Sequence, residues 1–542
     1  MNQLIAPYGG TLVNLIDPAK GEALRREAFG LPSLDLDWQQ QCELEMLMNG
    51  AYSPLTGFMS RAQCARVEAD RQLDDGSFWP LPVTLASRQK AAAGLKPGAR
   101  VALRDGEGFM LAVLTVSDVW EVDGTWHLGG AVEGVALPPH PDFSGLRATP
   151  AELRALFARR GWRRVVAWQA RQPMHRAQFE FCLKCAIENE ANLLLHPQAG
   201  GDITEAPAYF GLVRSFIAIR ERFPAASTQL SLLPVPPREA GVHALQLRAI
   251  VARNYGCSLL IAGGEHQADG DCRRGEDLVQ AEAEASLTEL AGRIGVRLIP
   301  YPRMVYVEDR AEYLPESAAP AGSRLLTLNE EEFRRRMQAG LKIPEWYSFP
   351  EVLAELHRQN PPRECQGFTV FFTGLSGSGK STLARALAAR LMEMGGRSVT
   401  LLDGDIVRRN LSSELGFSKA HRDINVRRIG FVASEITKNR GIAICAPIGP
   451  YRQTRRDVRA MIEAVGGFVE VYVSTPIATC ESRDRKGLYA KARAGLIPEF
   501  TGVSDPYEVP ERPELAIDTT GLGIDEAVQQ ILLKLEHEGY LR

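Results

Sequence analysis

No stretch of this chain approaches the roughly 20 consecutive apolar residues needed to span a bilayer, so no membrane-spanning helix is expected. Charge of one sign is missing too. Lysine plus arginine number 63 against 66 aspartates and glutamates, a net charge of −3. The arginines form no continuous basic stripe interleaved with aromatics, which argues against nucleic-acid binding. Cysteine is sparse: nine residues, an odd number, scattered over 542. That usage suits reduced thiols in a cytosolic protein and excludes a disulfide framework. The opening Met-Asn-Gln-Leu-Ile-Ala-Pro lacks a basic start and an apolar run, so no secretory signal is expected. Internal repeats and low-complexity tracts are absent. A soluble, globular, cytoplasmic protein is expected, and the length suggests three or four domains at about 100–200 residues each.

What is present changes texture along the chain. Up to about 150, short strand-like runs are separated by Gly and Pro, as in Pro82–Leu85, Arg100–Leu103 and Met110–Val116. Asp105-Gly106 and Asp123-Gly124 are hairpin turn signals, so this part reads as a mostly β domain. From about 160, strands alternate with helices: Val165–Trp168, the helix Ala177–Glu190, Leu193–Leu195, the helix Ala244–Tyr255 capped at Gly256, and Ser258–Ala262. Repeated strand–helix units imply a parallel sheet with helices on its faces. A small helical segment covers about 323–358, in which Asn329-Glu-Glu-Glu332 followed by Arg334-Arg-Arg336 reads as a capped, solvated helix. Asn360-Pro-Pro362 reads as a linker, and a second α/β unit begins at Phe368.

The segment Gly374-Leu-Ser-Gly-Ser-Gly-Lys-Ser381 fits the G-x-x-x-x-G-K-[ST] phosphate-binding loop at every fixed position. Gly374, Gly377 and Gly379 let several N–H groups converge on phosphate oxygens. Lys380 adds a cation, and Ser381 offers a hydroxyl to nucleotide-bound Mg²⁺. The predicted strand Phe368–Thr373 precedes it, and Leu383, Leu387, Leu391 and Met394 give Thr382–Met394 a helical period. The loop thus meets a helix N-terminus, where amides and dipole favour anions. Ser376, Ser378 and Thr382 complete the expected ATP contacts.

A second strand, Val399–Leu402, ends in Asp403-Gly-Asp405, at the edge where open α/β sheets bind ligands. Carboxylates there can hold Mg²⁺ or accept a proton from an attacking hydroxyl. A dense arginine series follows: Arg408, Arg409, Arg422, Arg427, Arg428, Arg452, Arg455, Arg456 and Arg459. About half are expected to be surface charge. The others would grip an anionic second substrate, because guanidinium holds phosphate or sulfate bidentately. Phe417 and Phe500 read by default as core.

From Leu402-Asp-Gly-Asp-Ile-Val-Arg408 through Leu415-Gly-Phe-Ser418, Asn425-Val-Arg-Arg-Ile429, Lys486-Gly-Leu-Tyr-Ala-Lys-Ala-Arg-Ala-Gly495 and Phe500-Thr-Gly-Val-Ser-Asp-Pro-Tyr-Glu508, the chain resembles adenylylsulfate (APS) kinases over about 365–535. That family moves the γ-phosphoryl group of ATP to the 3′-hydroxyl of APS, giving PAPS. The resemblance implies APS binding by Arg408, Phe417, Arg422, Asn425 and Lys486, with Phe500 on the adenine. It places Asp405 at the 3′-hydroxyl and Asp403 near the metal. Ile406 stands where the family often has Asn, and Gly449-Pro-Tyr-Arg452 replaces its Ser-Pro-Phe/Tyr-Arg; neither change removes a charged group.

In the first two-thirds, Gln169-Ala-Arg-Gln-Pro-Met-His-Arg-Ala-Gln178 follows a strand and opens a helix, with His175 and Gln178 on one face. Spacing alone leaves His175 as a capping or core histidine, or as a group stabilising phosphate in nucleotidyl transfer. Leu44–Met59, Trp79–Thr84, Asn254–Cys257, Met304–Val307 and Ile343–Trp346 resemble ATP sulfurylases over about 1–358. That family has a PUA-like β domain and a nucleotidylyltransferase sheet, and joins sulfate to the AMP part of ATP with release of pyrophosphate. Its Q-x-R-N-P-x-H-x-x-H motif ends here in Gln178, with Gln172 for Asn. Its G-R-D-H becomes Gly263-Gly-Glu-His266, and Asp202-Ile-Thr-Glu205 lacks the family's basic residue. Gln169, Arg171, His175 and His266 remain. Each lost cationic or proton-bearing contact is worth a few kcal/mol in the transition state, on the order seen for oxyanion donors. Weak or absent sulfurylase activity is therefore expected.

The expected architecture is α/β multidomain: a PUA-like β domain (1–150), a Rossmann-like nucleotidylyltransferase domain (151–322), a small helical segment and linker (323–360) and a P-loop kinase domain (361–542). The leading expectation is an APS kinase fused to a sulfurylase-like scaffold or regulator. The alternatives are a fully bifunctional PAPS synthase, and a sulfurylase with a nucleotide-sensing C-terminal domain of the kind related fungal enzymes carry. Lys380, Ser381, Asp403 and Asp405 argue against the last. ATP, APS and Mg²⁺ are the expected ligands, sulfate and pyrophosphate possible ones, and a homo-oligomer, with a hexamer favoured, the expected assembly. Cys182-x-x-Cys185, inside a helix, reads as structural.

Overall fold

The computed structural model describes residues 3–199, 207–236, 241–263, 292–484 and 487–541, with Pro207, Ala208 and Asp405 described by their backbone alone. The chain folds into two compact units, one of residues 1–336 and 342–359, the other of 337–341 and 360–542. Among the described residues no helix is long and apolar enough to cross a membrane.

The first unit opens with a six-stranded sheet. Its strands are β1 (Ser33–Asp35), β2 (Gly57–Phe58), β3 (Leu85–Ser87), β4 (Arg100–Arg104), β5 (Met110–Val122) and β6 (Thr125–Gly134). The β5–β6 hairpin turns at Asp123 and Gly124, both with positive φ (49° and 75°), the mirror-image turn that matches strand twist. The strand expected at Pro82–Leu85 instead starts at Leu85 and runs to Ser87, pairing with Trp126–Leu128. Pro82 has no N–H for such a ladder.

Next come five parallel strands: β7 (Val165–Trp168), β8 (Asn192–Leu195), β9 (Thr228–Leu230), β10 (Leu259–Ala262) and β11 (Arg297–Pro300). Their spatial order is β11-β10-β7-β8-β9, so the winding reverses at β7. That reversal opens a crevice at the carboxyl end of β7, where doubly wound sheets bind ligands. The helix after β7 spans Arg176–Glu188 and ends two residues short of the expected Glu190, whose φ of 48° is left-handed. Cys182 and Cys185 are buried in that helix, as a structural pair would be.

A small three-stranded sheet of β12 (Met304–Val307), β13 (Glu312–Pro315) and β14 (Leu325–Leu326) precedes the helices Glu330–Gln338 and Pro350–Gln359. The segment expected to be helical from 323 therefore begins with a short strand. Asn329 accepts from the Glu332 amide at 2.8 Å, capping the charged helix.

In the second unit, β15 (Phe368–Thr373), β16 (Val399–Leu402), β17 (Ile442–Cys445), β18 (Gly467–Val473) and β19 (Leu515–Ile517) form a parallel sheet ordered β16-β17-β15-β18-β19. Central β15 is buried at all six positions, which explains its unbroken apolar run. Its one polar pair inside the sheet layer, Thr369 with Thr437 at 2.8 Å, is mutually satisfied. Winding reverses at β15, and the phosphate loop leaves from its carboxyl end.

Candidate functional site

In the loop after β15 the Gly374 and Ser378 amides donate to the Ile448 (3.3 Å) and Leu375 (3.2 Å) carbonyls, while the Ser376 and Ser378 carbonyls are held by side chains from outside the loop. Gly374 has φ 146°, and a Cβ there would lie 2.5 Å from the Val473 carbonyl oxygen. At Gly377 (φ 75°) a Cβ would lie 2.9 Å from the Cys480 carbonyl oxygen. The Ser376 carbonyl accepts from Tyr489 Oη at 2.9 Å. Ser378 is fully buried, and its carbonyl accepts from Thr475 (3.2 Å) and Thr519 (2.9 Å). The helix Lys380–Met394 has no side-chain cap; Gly379, left-handed at φ 104°, stands at its N-cap. An uncapped 15-residue helix presents its first-turn amides and dipole to an anion.

Lys380 is 6% exposed and donates to the Leu375 carbonyl at 2.6 Å. Burial pulls its pKa down to about 8. Ser381 and Thr382 are exposed on the first turn. Asp403, at the end of β16 and 5% exposed, accepts from Arg385 at 3.0 Å. Arg385 lies four residues after Ser381 on the same helix face, so Asp403 faces the turn that carries the Ser381 hydroxyl. Arg385 was not anticipated; its i+4 spacing from Ser381 was the available signal. Asp405 lies on the helix Gly404–Asn410.

The residues expected to hold the second substrate gather in a connected path. Arg408 donates to the carbonyls of Leu415 (3.3 Å) and Gly416 (3.2 Å), and its guanidinium lies 4.4 Å from the Phe417 ring centroid. Phe417 is 67% exposed, which overturns its default reading as core. Arg422 and Asn425 lie one turn apart on the helix Lys419–Lys438, both buried. Arg422 donates to Thr501 Oγ1 (2.6 Å) and the Glu499 carbonyl (3.0 Å), and pairs with Asp505 at 3.0 Å. Tyr451 donates to the same Asp505 carboxylate at 2.8 Å. Arg422 Nε and Asn425 Oδ1 are buried without a partner. Phe500 meets the Tyr489 ring edge-on at 5.1 Å. Lys486 lies outside the described residues.

The later arginines pair with carboxylates, Arg455 buried, Arg459 half-buried, and Arg427, Arg428, Arg452 and Arg456 at the surface. Arg455 pairs with Glu470 (3.0 Å), Arg459 with Glu514 (2.8 Å), Arg456 with Glu511 (2.5 Å) and Arg427 with Asp457 (2.6 Å). Arg428 pairs with Glu414 and Arg452 with Glu511. About half of the series is thus surface charge, as expected, and sequence spacing held no sign of which carboxylates the arginines meet. Asp505, Tyr451 and Tyr489 lay inside recognised motifs without a role.

The crevice beside β7 differs. Gln169 is 1% exposed, and its side-chain oxygen accepts from Arg248 at 3.1 Å. Arg171 donates to Gln198 at 2.6 Å. Gln169 Nε2 and Gln198 Nε2 are buried without a partner. Arg171, Gln198 and Arg248 share with Leu233, Val235 and Leu247 a cavity of about 20 Å³, room for about one water molecule. His175 bonds Ser348 Oγ through Nδ1 at 2.8 Å, and its ring packs against Tyr347 (4.8 Å) and Phe333 (5.3 Å). Burial lowers its pKa to about 4, so the ring is neutral near pH 7. Gln178 returns its side chain to the His175 amide at 3.1 Å, a capping role. His266 and Asp202–Glu205 lie outside the described residues.

A parallel sheet with an uncapped phosphate loop at its switch point defines a P-loop phosphotransferase, here on one chain with a Rossmann-type nucleotidylyltransferase sheet. In family comparison residues 5–147 match the PUA-like domain, 144–359 ATP-sulfurylase and 366–518 adenylylsulphate kinase. A sulfate adenylyltransferase of Emericella nidulans is 40% identical over 570 residues, covering 98% of this chain and 99% of the relative. One from Neurospora crassa is also 40% identical, covering 99% of each. A solved structure described as a hexameric APS kinase from Thiobacillus denitrificans is 76% identical and superposes with a TM-score of 0.88, all of both chains covered. The chain belongs to the sulfate adenylyltransferase family, and its residues 366–518 match adenylylsulphate kinase. It is a transferase, an APS kinase domain joined to an ATP-sulfurylase domain.

Proposed function

We propose that the second unit forms PAPS and ADP from ATP and APS through the residues just described, and that the ATP-sulfurylase domain has weak or no activity of its own. The observation carrying this is the phosphate loop, whose carbonyls are fastened outward while its helix N-terminus stays uncapped. Amides of the loop and first helical turn other than those of Gly374 and Ser378, which donate to protein carbonyls, hold the triphosphate together with the Lys380 ammonium. Arg408, Arg422, Asn425 and Lys486 hold APS, with Phe417 and Phe500 on its purine. Asp405 takes the 3′-hydroxyl proton. Phosphoryl transfer through a loose transition state needs such alignment and countercharge more than covalent help.

Ser381 and Asp403 fit a Mg²⁺ ion that is otherwise held by phosphates and water, a common arrangement for this metal. Among the described residues no cluster of three or more His, Cys, Asp or Glu competes for that assignment. The ion, when bound, neutralises phosphate charge.

The weak-sulfurylase reading is supported by Gln178 acting as a cap and His175 held neutral against Ser348, while Arg171 pairs with Gln198 and Arg248 with Gln169, leaving the two glutamine Nε2 groups without a partner. Sulfate and pyrophosphate are the ligands that site would take. Homo-oligomerisation, with a hexamer favoured, is supported by the assembly of the 76%-identical relative. A cytoplasmic location is supported by eight described cysteines that are all free thiols. Assaying both half-reactions on one preparation tests the reading. ADP release from ATP and APS is expected to be robust, and ATP formation from APS and pyrophosphate at least about 10³-fold slower, as the loss of several transition-state contacts implies. Comparable rates would make the enzyme fully bifunctional.

A further inference from the structure

Tyr489 touches both halves of the kinase site. Its side chain is 3% exposed. The phenol oxygen donates to the Ser376 carbonyl in the phosphate loop at 2.9 Å. The ring meets Phe500 edge-on, with 5.1 Å between centroids and 77° between planes. A short helix, Leu488–Arg493, carries it, and Asp484 secures that helix by accepting from the amides of Leu488 (2.8 Å) and Ala490 (3.0 Å).

The segment around Phe500 has no regular secondary structure of its own and is clamped from two sides. On one side, a Cβ at Gly502 would lie 2.8 Å from the Leu375 side chain, so this segment rests on the phosphate loop. On the other, Arg422 holds the Glu499 carbonyl, Thr501 Oγ1 and Asp505. Tyr489 is the described side chain that fastens a phosphate-loop carbonyl and also packs on Phe500.

We infer that Tyr489 is a positioning residue for the kinase reaction, holding the Ser376 carbonyl away from the triphosphate while bracing Phe500 against the adenine of APS. The two contacts use different parts of the side chain, so they separate by substitution. Removing the hydroxyl leaves an unanswered carbonyl near a polyanion, which repels it; removing the ring loosens the Phe500 platform. The inference rests on the assignment of Phe500 to APS, and the experiment checks that assignment independently.

The test is steady-state kinetics of PAPS formation for Tyr489→Phe, Tyr489→Leu and Phe500→Ala in the full chain, with a thermal melt of each. Tyr489→Phe is expected to raise KM for ATP about three- to tenfold, the effect of one lost hydrogen bond, with KM for APS and the melting temperature unchanged. Tyr489→Leu is expected to raise both KM values, and Phe500→Ala that for APS alone. Unchanged KM for ATP in Tyr489→Phe, or a Tyr489→Leu protein that melts lower with both KM values intact, overturns the positioning role. An unchanged KM for APS in Phe500→Ala instead overturns the placement of APS on Phe500.

Discussion

The sheet around β7 and the sheet around β15 are built alike and arrange their polar groups differently at their switch points. Both are parallel, both reverse winding at their first strand, and both put polar side chains beyond its carboxyl end. Around β15 the polar groups of the loop are fastened on their carbonyl side, so amides, an ammonium and a hydroxyl face the crevice. Around β7 the glutamines and arginines answer each other, and the histidine answers a serine. A shared topology therefore creates a crevice without deciding whether it reacts. Preorganised donors aimed at the substrate stabilise developing charge, so the partners of each donor bear on how a crevice reacts.

The largest expected effect that would break this contrast is at Lys380. Lys380→Ala is expected to lower ADP release in the presence of ATP and APS by about 10²–10³-fold or more, the scale for losing one preorganised charge donor. Near-normal turnover would leave the two crevices equivalent. Arg422 comes next. Arg422→Gln is expected to raise KM for APS about 10–100-fold through loss of charge-assisted bonds, with KM for ATP nearly unchanged. Equal increases in both would mean that Arg422 only supports the Glu499–Asp505 segment.

The smallest effects are in pH dependence, and they differ in sign between the two sites. Triphosphate binds the ammonium form of Lys380, whose pKa is about 8. Consequently kcat/KM for ATP is expected to fall above about pH 8, approaching about tenfold per unit, as for a single essential group of the free enzyme. A flat profile to pH 9.5, roughly 1.5 units above that pKa, would remove Lys380 as the binding cation. His175 behaves in the reverse way. Its folded pKa is about 4 and its ordinary value 6.5, so the unfolded chain takes up the proton first on acidification. Its stabilising contribution is complete above about pH 6.5 and is lost as pH falls toward about 4. Thermal melts of His175→Gln should therefore show a shallower acid decline than the parent. Identical declines would indicate that the ring is not buried neutral.

Much of the fold was legible in the sequence because its signals are local. Phe368–Thr373 and Val399–Leu402 fall where their apolar runs end, and Asp123-Gly124 makes the turn its residue types require. The phosphate loop was legible for the same reason: glycines, lysine and serine act within eight consecutive residues. Less visible was the fate of the arginines. Arg455 meets Glu470 and Arg459 meets Glu514, 15 and 55 residues away. No periodicity separates those guanidiniums from Arg422, which reaches Thr501 across 79 residues. Phe417 misled in the other direction, since an aromatic in an ordinary context reads as core until its exposure is seen.

Sequence alone determined the anion-binding loop and the strand and helix that flank it, since each follows from hydrogen bonding and side-chain type over a few neighbouring residues. Tertiary structure decided which cations are claimed by carboxylates, which histidine is held neutral, and which tyrosine touches both the phosphate loop and Phe500. Those outcomes depend on burial and on partners brought from far along the chain, and desolvation and pairing are properties of the packed molecule.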